Sequence, residues 1–265
     1  MNERMVFTID VEDWYHAENL RPYFNSSFSQ SSRSTLQNTY KILDFLDKKE
    51  AKGTFFFLGC IALSNKELVK ETFNRGHEIA SHGLDHRLLW DLSEKETIYD
   101  ISESTKIIED IAGTKIIGYR SPCFSQNPFI TNALRENGYK YTSMSIESTF
   151  HDRYTSNYFE PSKNLSDFPM PVAKFGPLNV VATGGGWFRF FPTFLQKKLI
   201  KHSKLDTKVF YCHPWDFGEN FFTRDKVPYI KKFRHTVGVK HALKKLYNFD
   251  FSSKTLSDIY FASVK

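Results

Sequence analysis

Apolar and polar positions along this chain alternate in a strand-then-helix rhythm. A short apolar run from Met5 to Ile9 ends abruptly in the stretch TIDVEDWYH, residues 8–16. A polar segment at 25–34 then leads into Ser34-Thr-Leu-Gln37, whose capping-box pattern predicts a helix to about Lys49. GTFFFLG at 53–59 is continuously apolar, as strands covered on both faces are. Ser64-Asn-Lys-Glu67 opens the next helix and Gly76 stops it. HEIASH at 77–82 reads as a strand. Ser93-Glu-Lys-Glu96 is another capping box, and Ile98, Ile101, Thr105 and Ile108 turn one face of its helix to the core. A strand at 116–121, a helix from Asn127-Pro128 to Asn137 with Gly138 behind it, and a strand at 139–145 follow. Residues 147–190 break the rhythm with a Pro- and Gly-rich irregular segment containing TGGGWFRFF. KVFYCHPW at 208–215 is the last clear strand, and a basic helical part, about 226–265, closes the chain. Alternation of this kind predicts parallel strands joined by helical crossovers, an α/β barrel or open sheet. At 265 residues, one such domain accounts for the whole of 1–265.

Parallel-strand proteins carry their chemistry at the carboxyl ends of the strands. Here those ends read DVED, SHGLDH, RSPCFS and HPWDF. Asp10, Glu12 and Asp13 crowd together after the first strand, and acids so close repel one another unless a cation compensates them. His82 and His86 sit four apart, so a helical turn would place both imidazoles on one face, able to share a cation. Two histidines and one carboxylate leave coordination positions open, as hydrolytic metal sites require. Arg120 can hold one of the acids ionised and oriented. His213, in the apolar run VFYCHPW, is either a buried structural histidine or a general acid working near neutral pH.

Composition changes the picture in three places. Apolar residues at 40% supply a core, and 26 Phe with 13 Tyr leave aromatics to spare for stacking on sugar faces around a cleft. Trp14, Trp187 and Trp215 are the candidates for that role, beside the strand ends and the glycine run. Cys60, Cys123 and Cys212 are odd in number and form no CxxC pair, which argues against a disulfide framework or a cysteine zinc site. Met1-Asn2-Glu3-Arg4 runs into the first strand without a secretory signal pattern, and no apolar stretch approaches the ~18 residues of a membrane span. The expected location is therefore cytoplasmic. The net charge of +6 is concentrated in 226–247, where Lys226, Lys231, Lys232, Arg234, Lys240, Lys244 and Lys245 meet no Asp or Glu. Such a segment is a solvated helix face, or it attracts an anionic carrier or the inner face of a membrane. No motif for nucleic acid accompanies it.

The order TIDVED, SHGLDH, RSPCFS, YCHPW resembles the polysaccharide deacetylases of carbohydrate esterase family 4. HDRYT (151–155), GGGWFR (184–189) and FRHTVG (233–238) extend the likeness to a branch found with bacterial exopolysaccharide and exosortase loci. The resemblance implies a distorted (β/α) barrel with fewer than eight strands. It implies a metal-dependent hydrolase that removes N-acetyl groups from an amino sugar of a surface or extracellular polysaccharide, or of a lipid-phosphate-linked precursor. Asp10 would then be the general base, Arg120 its orienting partner and His213 the general acid. His82 and His86 would hold one divalent metal, zinc foremost, with cobalt, manganese or nickel as alternatives. A backbone N–H on Cys123 or Phe124 would face the oxyanion. The family has two adjacent aspartates where this chain has Asp10-Val11-Glu12-Asp13, so Glu12 and Asp13 compete for the metal. Strand alternation favours Glu12. An early turn after Val11 would favour Asp13, with Glu12 behind a histidine, and the aromatic pair Trp14-Tyr15 tips the expectation to Asp13. The loop acid that normally backs the catalytic histidine has no clean match, and Asp152 or Asp167 is expected to supply it. Two other readings share this cleft: a metal-independent amidohydrolase, and a catalytically silent glycan-binding protein.

Overall fold

The computed structural model describes residues 4–23, 33–149, 165–218 and 227–264. Its strands are β1 (Val6–Val11), β2 (Gly53–Phe57), β3 (Glu78–Ser81), β4 (Gly118–Tyr119), β5 (Tyr141–Thr142), β6 (Ser166–Asp167), β7 (Val172–Phe175), β8 (Leu178–Val181) and β9 (Val209–Cys212). Among the described residues, seven of them form one parallel sheet in the order β6-β5-β4-β3-β2-β1-β9. Helices cross between most of them, which gives the incomplete barrel that the alternating pattern and the resemblance led one to expect. β7 and β8 form a separate antiparallel hairpin within the irregular segment.

Strand alternation sorts the core into two layers. Phe7, Ile9, Val11, Phe55 and Phe57 point outward beneath the helices. Val6, Phe56, Ala80, Val209 and Tyr211 form a second cluster, in the barrel interior. Thr8 and Asp10 share the interior parity with Val6, so the first acid is delivered to the inside of the barrel at its carboxyl end. At the opposite end, the helix Leu256–Ser263 closes the interior. Its Leu256 N–H donates to Thr54 Oγ1 at 3.0 Å, and its Ser257 N–H to Glu78 Oε2 at 3.0 Å. Burial pushes the Glu78 carboxyl up.

Some boundaries differ from the sequence pattern. Ser34 lies inside the helix Arg33–Lys48 and is buried, so it is not the cap of that helix. The cap of Lys66–Asn74 is Asn65 rather than Ser64, because a short helix, Gly59–Ser64, occupies the residues before it. The Ser93 box forms as expected: Ser93 N–H donates to Glu96 Oε2 at 3.0 Å, and Glu96 N–H to Ser93 Oγ at 3.4 Å. Along that helix Ile98 faces solvent, while Thr97, Ile101, Thr105 and Ile108 are buried.

Candidate active site

The carboxyl ends of β1, β3, β4 and β9 meet at one cavity of about 410 Å³, whose wall includes Asp10, Glu12, His82, His86, Cys123 and His213. Arg120, fully buried, donates from Nη1 to Asp10 Oδ1 at 2.7 Å. Its Nε and Nη2 donate to the carbonyl and hydroxyl of Ser143 at 3.1 and 2.9 Å, and its guanidinium lies 4.2 Å from the Phe56 ring centre. A planar fork tied in this way has one orientation, and it aims a single carboxylate into the cavity.

Glu12, His82 and His86 form a second group, each offering one ligand atom, all within 4.8 Å of one another. Glu12 Oε2 lies 2.7 Å from His86 Nε2. His82 Nδ1 is 2.8 Å from the Arg120 carbonyl, which can only accept, so Nδ1 carries the proton and the Nε2 lone pair is left for a ligand. Burial pushes the His82 imidazole down, toward its neutral form. Burial alone would raise the Glu12 carboxyl. The charge and hydrogen bond of His86, with the charge of His213, instead draw it down to about 2. An ionised carboxylate beside a neutral imidazole is the protonation state that a cation needs of its ligands. The residues present therefore fit a divalent metal.

Asp13 is not part of this group, contrary to the expectation that favoured it. β1 ends at Val11, where a tight turn closed by the Glu12 N–H donating to the Asp10 carbonyl at 3.0 Å still leaves Glu12 at the mouth beside Asp10. Asp13 precedes the short helix Trp14–His16, with its N–H donating to His16 Nδ1 at 3.0 Å. Its buried carboxylate accepts from the Thr35 hydroxyl and lies against Tyr15, whose phenol is pushed up by burial and by that charge.

The loop between the two histidines is pinned from both sides. Asp100 Oδ1 accepts from Leu84 N–H at 3.1 Å, and Arg21 donates to the carbonyls of Asp85 and His86, each at 3.2 Å. Gly83, at φ +85, has no room for a side chain: a Cβ there would lie 2.9 Å from Asp100 Oδ1. Gly83→Ala is expected to lower the melting temperature and to weaken metal affinity by ~10–100-fold, the cost of misplacing a ligand through its support. Chelator competition measures it, and an unchanged affinity would show that the loop tolerates the shift.

Among the described residues, three of the four non-glycine residues with positive φ line this cavity: His86 (φ 62), Cys123 (φ 51) and Phe124 (φ 57). Left-handed backbone at such residues costs free energy and persists only where the surroundings impose it. Phe124 N–H donates to the Ser121 carbonyl at 3.0 Å, and Cys123 and Phe124 both line the cavity.

His213 stands on the opposite side, its Nε2 3.5 Å from Glu12 Oε1. Its Nδ1 is 3.1 Å from Asp216 Oδ2, and its own N–H donates to the same oxygen at 2.8 Å. Asp216 Oδ1 accepts from Arg189 Nε at 2.7 Å. Arg189 also donates to the carbonyls of Arg234, His235 and Val237 at 3.1, 3.1 and 2.8 Å. The Trp215 ring stacks on His213 with centroids 4.3 Å apart and planes 7° from parallel. Burial would lower the imidazole. The hydrogen bond and charge of Asp216 outweigh it and raise His213. Burial likewise opposes ionisation of Asp216, but the charge of Arg189 and the contact with His213 hold it at about 2.

Asp216 and Arg189 were missed by sequence reasoning. Asp167, one proposed backing acid, accepts instead from Thr142 Oγ1 at 2.7 Å and Met144 N–H at 3.1 Å; Asp152, the other, lies outside the described residues. The available signal was HPWD itself, an acid three residues after the histidine at the start of a short helix, the spacing of a reciprocal cap. Arg189 sits in the quoted GGGWFR run, where Gly184 (φ +85) passes so close to Tyr211 that a Cβ would lie 2.1 Å from its ring. Of the three candidate tryptophans, Trp215 reaches the cavity wall. Trp14 packs edge-on against Tyr15 and Trp187 stacks on Phe191, and neither is among the described residues lining the cavity.

Parts of the chain match known proteins. Residues 27–142 match the family Polysaccharide deacetylase, and residues 144–261 match a domain of unknown function, DUF3473. Chitin deacetylase 1 of Cryptococcus neoformans var. grubii is 31% identical over 81 residues, 31% of this chain and 17% of that protein. The peptidoglycan-N-acetylglucosamine deacetylase of Bacillus cereus is 29% identical over 102 residues, 38% of this chain and 47% of that protein. The matched segments thus span less than half the length of these relatives. The structure of the Bacillus subtilis peptidoglycan deacetylase PdaC superposes over 99% of this chain and 92% of that one, with a TM-score of 0.54 at 16% identity, a likeness of fold.

Proposed function

We propose that this chain, whose residues 27–142 match the family Polysaccharide deacetylase, hydrolyses N-acetyl groups from an amino sugar of a bacterial surface or extracellular polysaccharide, or of its precursor. Asp10 and His213 flank a three-donor cluster in one cavity, and that arrangement carries the assignment. An amide is a poor electrophile, so its hydrolysis needs a base for the water, a donor for the oxyanion and a proton for the leaving amine. A divalent cation, zinc foremost, would be held by Glu12, His82 and His86 and would supply Lewis acidity toward the acetamide carbonyl and water. Asp10 accepts the proton of the attacking water, with Arg120 keeping its carboxylate aimed. A backbone amide of the Cys123–Phe124 turn would face the developing oxyanion. His213 donates from Nε2 to the sugar nitrogen, because Asp216 holds Nδ1. The new C–O bond and the broken C–N bond leave acetate and a free amino sugar. A precursor carried on a lipid phosphate at the cytoplasmic face of the membrane is the substrate form we favour, given the acid-free basic segment 226–247.

Acetate release from a panel of N-acetylated glycans, measured after chelation and again after zinc repletion, tests the proposal. Release restored by metal is the expected result. Full release from the chelated protein would make the chemistry metal-independent, and none from any glycan after repletion would leave a silent binding protein. Asp10→Asn is expected to keep stoichiometric metal while kcat falls by ~10²-fold, the scale of a lost general base. Loss of metal in that variant would overturn the division between base and ligand.

A further inference from the structure

The helix Tyr229–Thr236 is mounted with its apolar side outward. At about 100° per residue, Tyr229, Ile230 and Phe233 share an arc of about 100°, with Lys231 and His235 on the far side and Lys232 and Arg234 at the margins. A surface helix ordinarily buries such an apolar stripe. Here Tyr229, Ile230 and Phe233 are 82%, 69% and 43% exposed, and no residue of the helix is buried. The polar side faces the protein instead. Lys231 Nζ lies 3.4 Å from the Tyr23 hydroxyl and 4.9 Å from its ring centre. His235 Nε2 lies 2.9 Å from Asn19 Oδ1. Arg189 anchors the carboxyl end of the helix through the carbonyls of Arg234, His235 and Val237. The inverted mounting is thus held by specific contacts.

We propose that this outward face is an interfacial docking surface for a bilayer bearing anionic lipids. Arg234 and His235 belong to the wall of the catalytic cavity, so docking here would bring the cavity mouth to the lipid headgroups. Charge selects the occupant. The stretch 226–247 carries seven Lys and Arg and no acid; Lys231 and Lys245 are engaged with the protein, and exposed cations such as Lys240 and Lys244 complement a negatively charged leaflet. A second copy of the chain would set the same cationic segment against itself in a two-fold contact. Three side chains on a two-turn helix also fall well short of the ~1,000 Å² expected of a stable protein–protein interface, whereas peripheral lipid binding needs only a few inserted apolar groups flanked by cations. The inference deepens the membrane placement proposed above, but it requires no deacetylation to be tested.

Co-sedimentation of the whole chain with vesicles of phosphatidylcholine alone, and of an equal mixture with phosphatidylglycerol, tests it. Binding to the mixed vesicles that falls as NaCl is raised, with none to the neutral ones, is the expected result. Tyr229→Ser/Ile230→Ser should weaken that binding by ~10-fold or more, and Lys232→Ser by roughly 5-fold. The melting temperature of the double variant should stay unchanged, because the replaced side chains are not buried. Its acetate release from a soluble oligosaccharide should also persist, which separates failure of docking from failure of the proposed chemistry. No binding to the mixed vesicles at low salt, or equal binding by the double variant, would overturn the proposal. A dimer in sedimentation velocity that the double variant dissolves would assign the face to a second copy instead.

Discussion

Glu12→Ala is expected to abolish tight divalent-metal binding and to reduce acetate release to background, while Asp13→Ala keeps the metal. Glu12 is the carboxylate whose oxygen lies within 4.8 Å of both histidine ligand atoms, and its removal leaves two neutral donors for a doubly charged ion. Asp13 has a different office. It accepts from Thr35, on the helix Arg33–Lys48, and it caps the short helix Trp14–His16. Asp13→Ala leaves a buried hydroxyl without its acceptor, which costs about 1–3 kcal/mol. That variant should therefore melt earlier and still bind one metal per chain. Isothermal titration with zinc, beside thermal melting of the apo proteins, distinguishes the two effects. Loss of metal in Asp13→Ala with retention in Glu12→Ala would return the ligand role to Asp13.

The same pair shows what a sequence can and cannot disclose about such a site. Strand ends were legible because a parallel sheet covered on both faces demands unbroken apolar runs, so each break into DVED, SHGLDH, RSPC or HPWD marked a mouth-facing residue. The choice between Glu12 and Asp13 hinged on how the chain leaves β1, which local pattern marks poorly. β1 does end at Val11, but the tight turn there keeps Glu12 beside Asp10 and sends Asp13 to Thr35. The backing acid failed for another reason. Asp216 reads as an ordinary surface acid until the Arg189 guanidinium arrives from another element, 27 residues away in sequence, and no periodicity encodes that meeting. Ser34 misled in the opposite direction: its pattern is that of a cap, but the helix already includes Arg33. The inverted helix Tyr229–Thr236 was visible only as charge, because nothing in its amphipathic pattern says which side meets the protein.

Asp216→Ala should cut kcat/KM by about 10³-fold, within the range of a lost general acid, although Asp216 touches neither substrate nor metal ligand in this geometry. Its carboxylate holds His213 Nδ1, and its charge raises the imidazole. A histidine raised in this way keeps its proton to higher pH, so a rate requiring protonated His213 should decline only above the ordinary imidazole range. Removing Asp216 reverses the shift, and the basic limb of the kcat/KM profile should move to lower pH. The conservative Asp216→Asn should recover position but not charge, and hence part of the rate with the limb still displaced. Stability follows its own sign. The Asp216 carboxyl is drawn from 3.8 to about 2, so its contribution is complete above the ordinary value and is lost as pH falls from there through about 2. At neutral pH, Asp216→Ala also strands the Arg189 guanidinium, whose side chain is 3% exposed, at a cost of about 3–5 kcal/mol. Arg189→Met on top of Asp216→Ala removes the stranded charge. The double variant should therefore regain much of the melting temperature and none of the rate. A double variant as unstable as the single one would mean that Arg189 acts mainly by tethering the carbonyls of Arg234, His235 and Val237. Full activity in Asp216→Ala would remove the proton-donor role from His213 as oriented here.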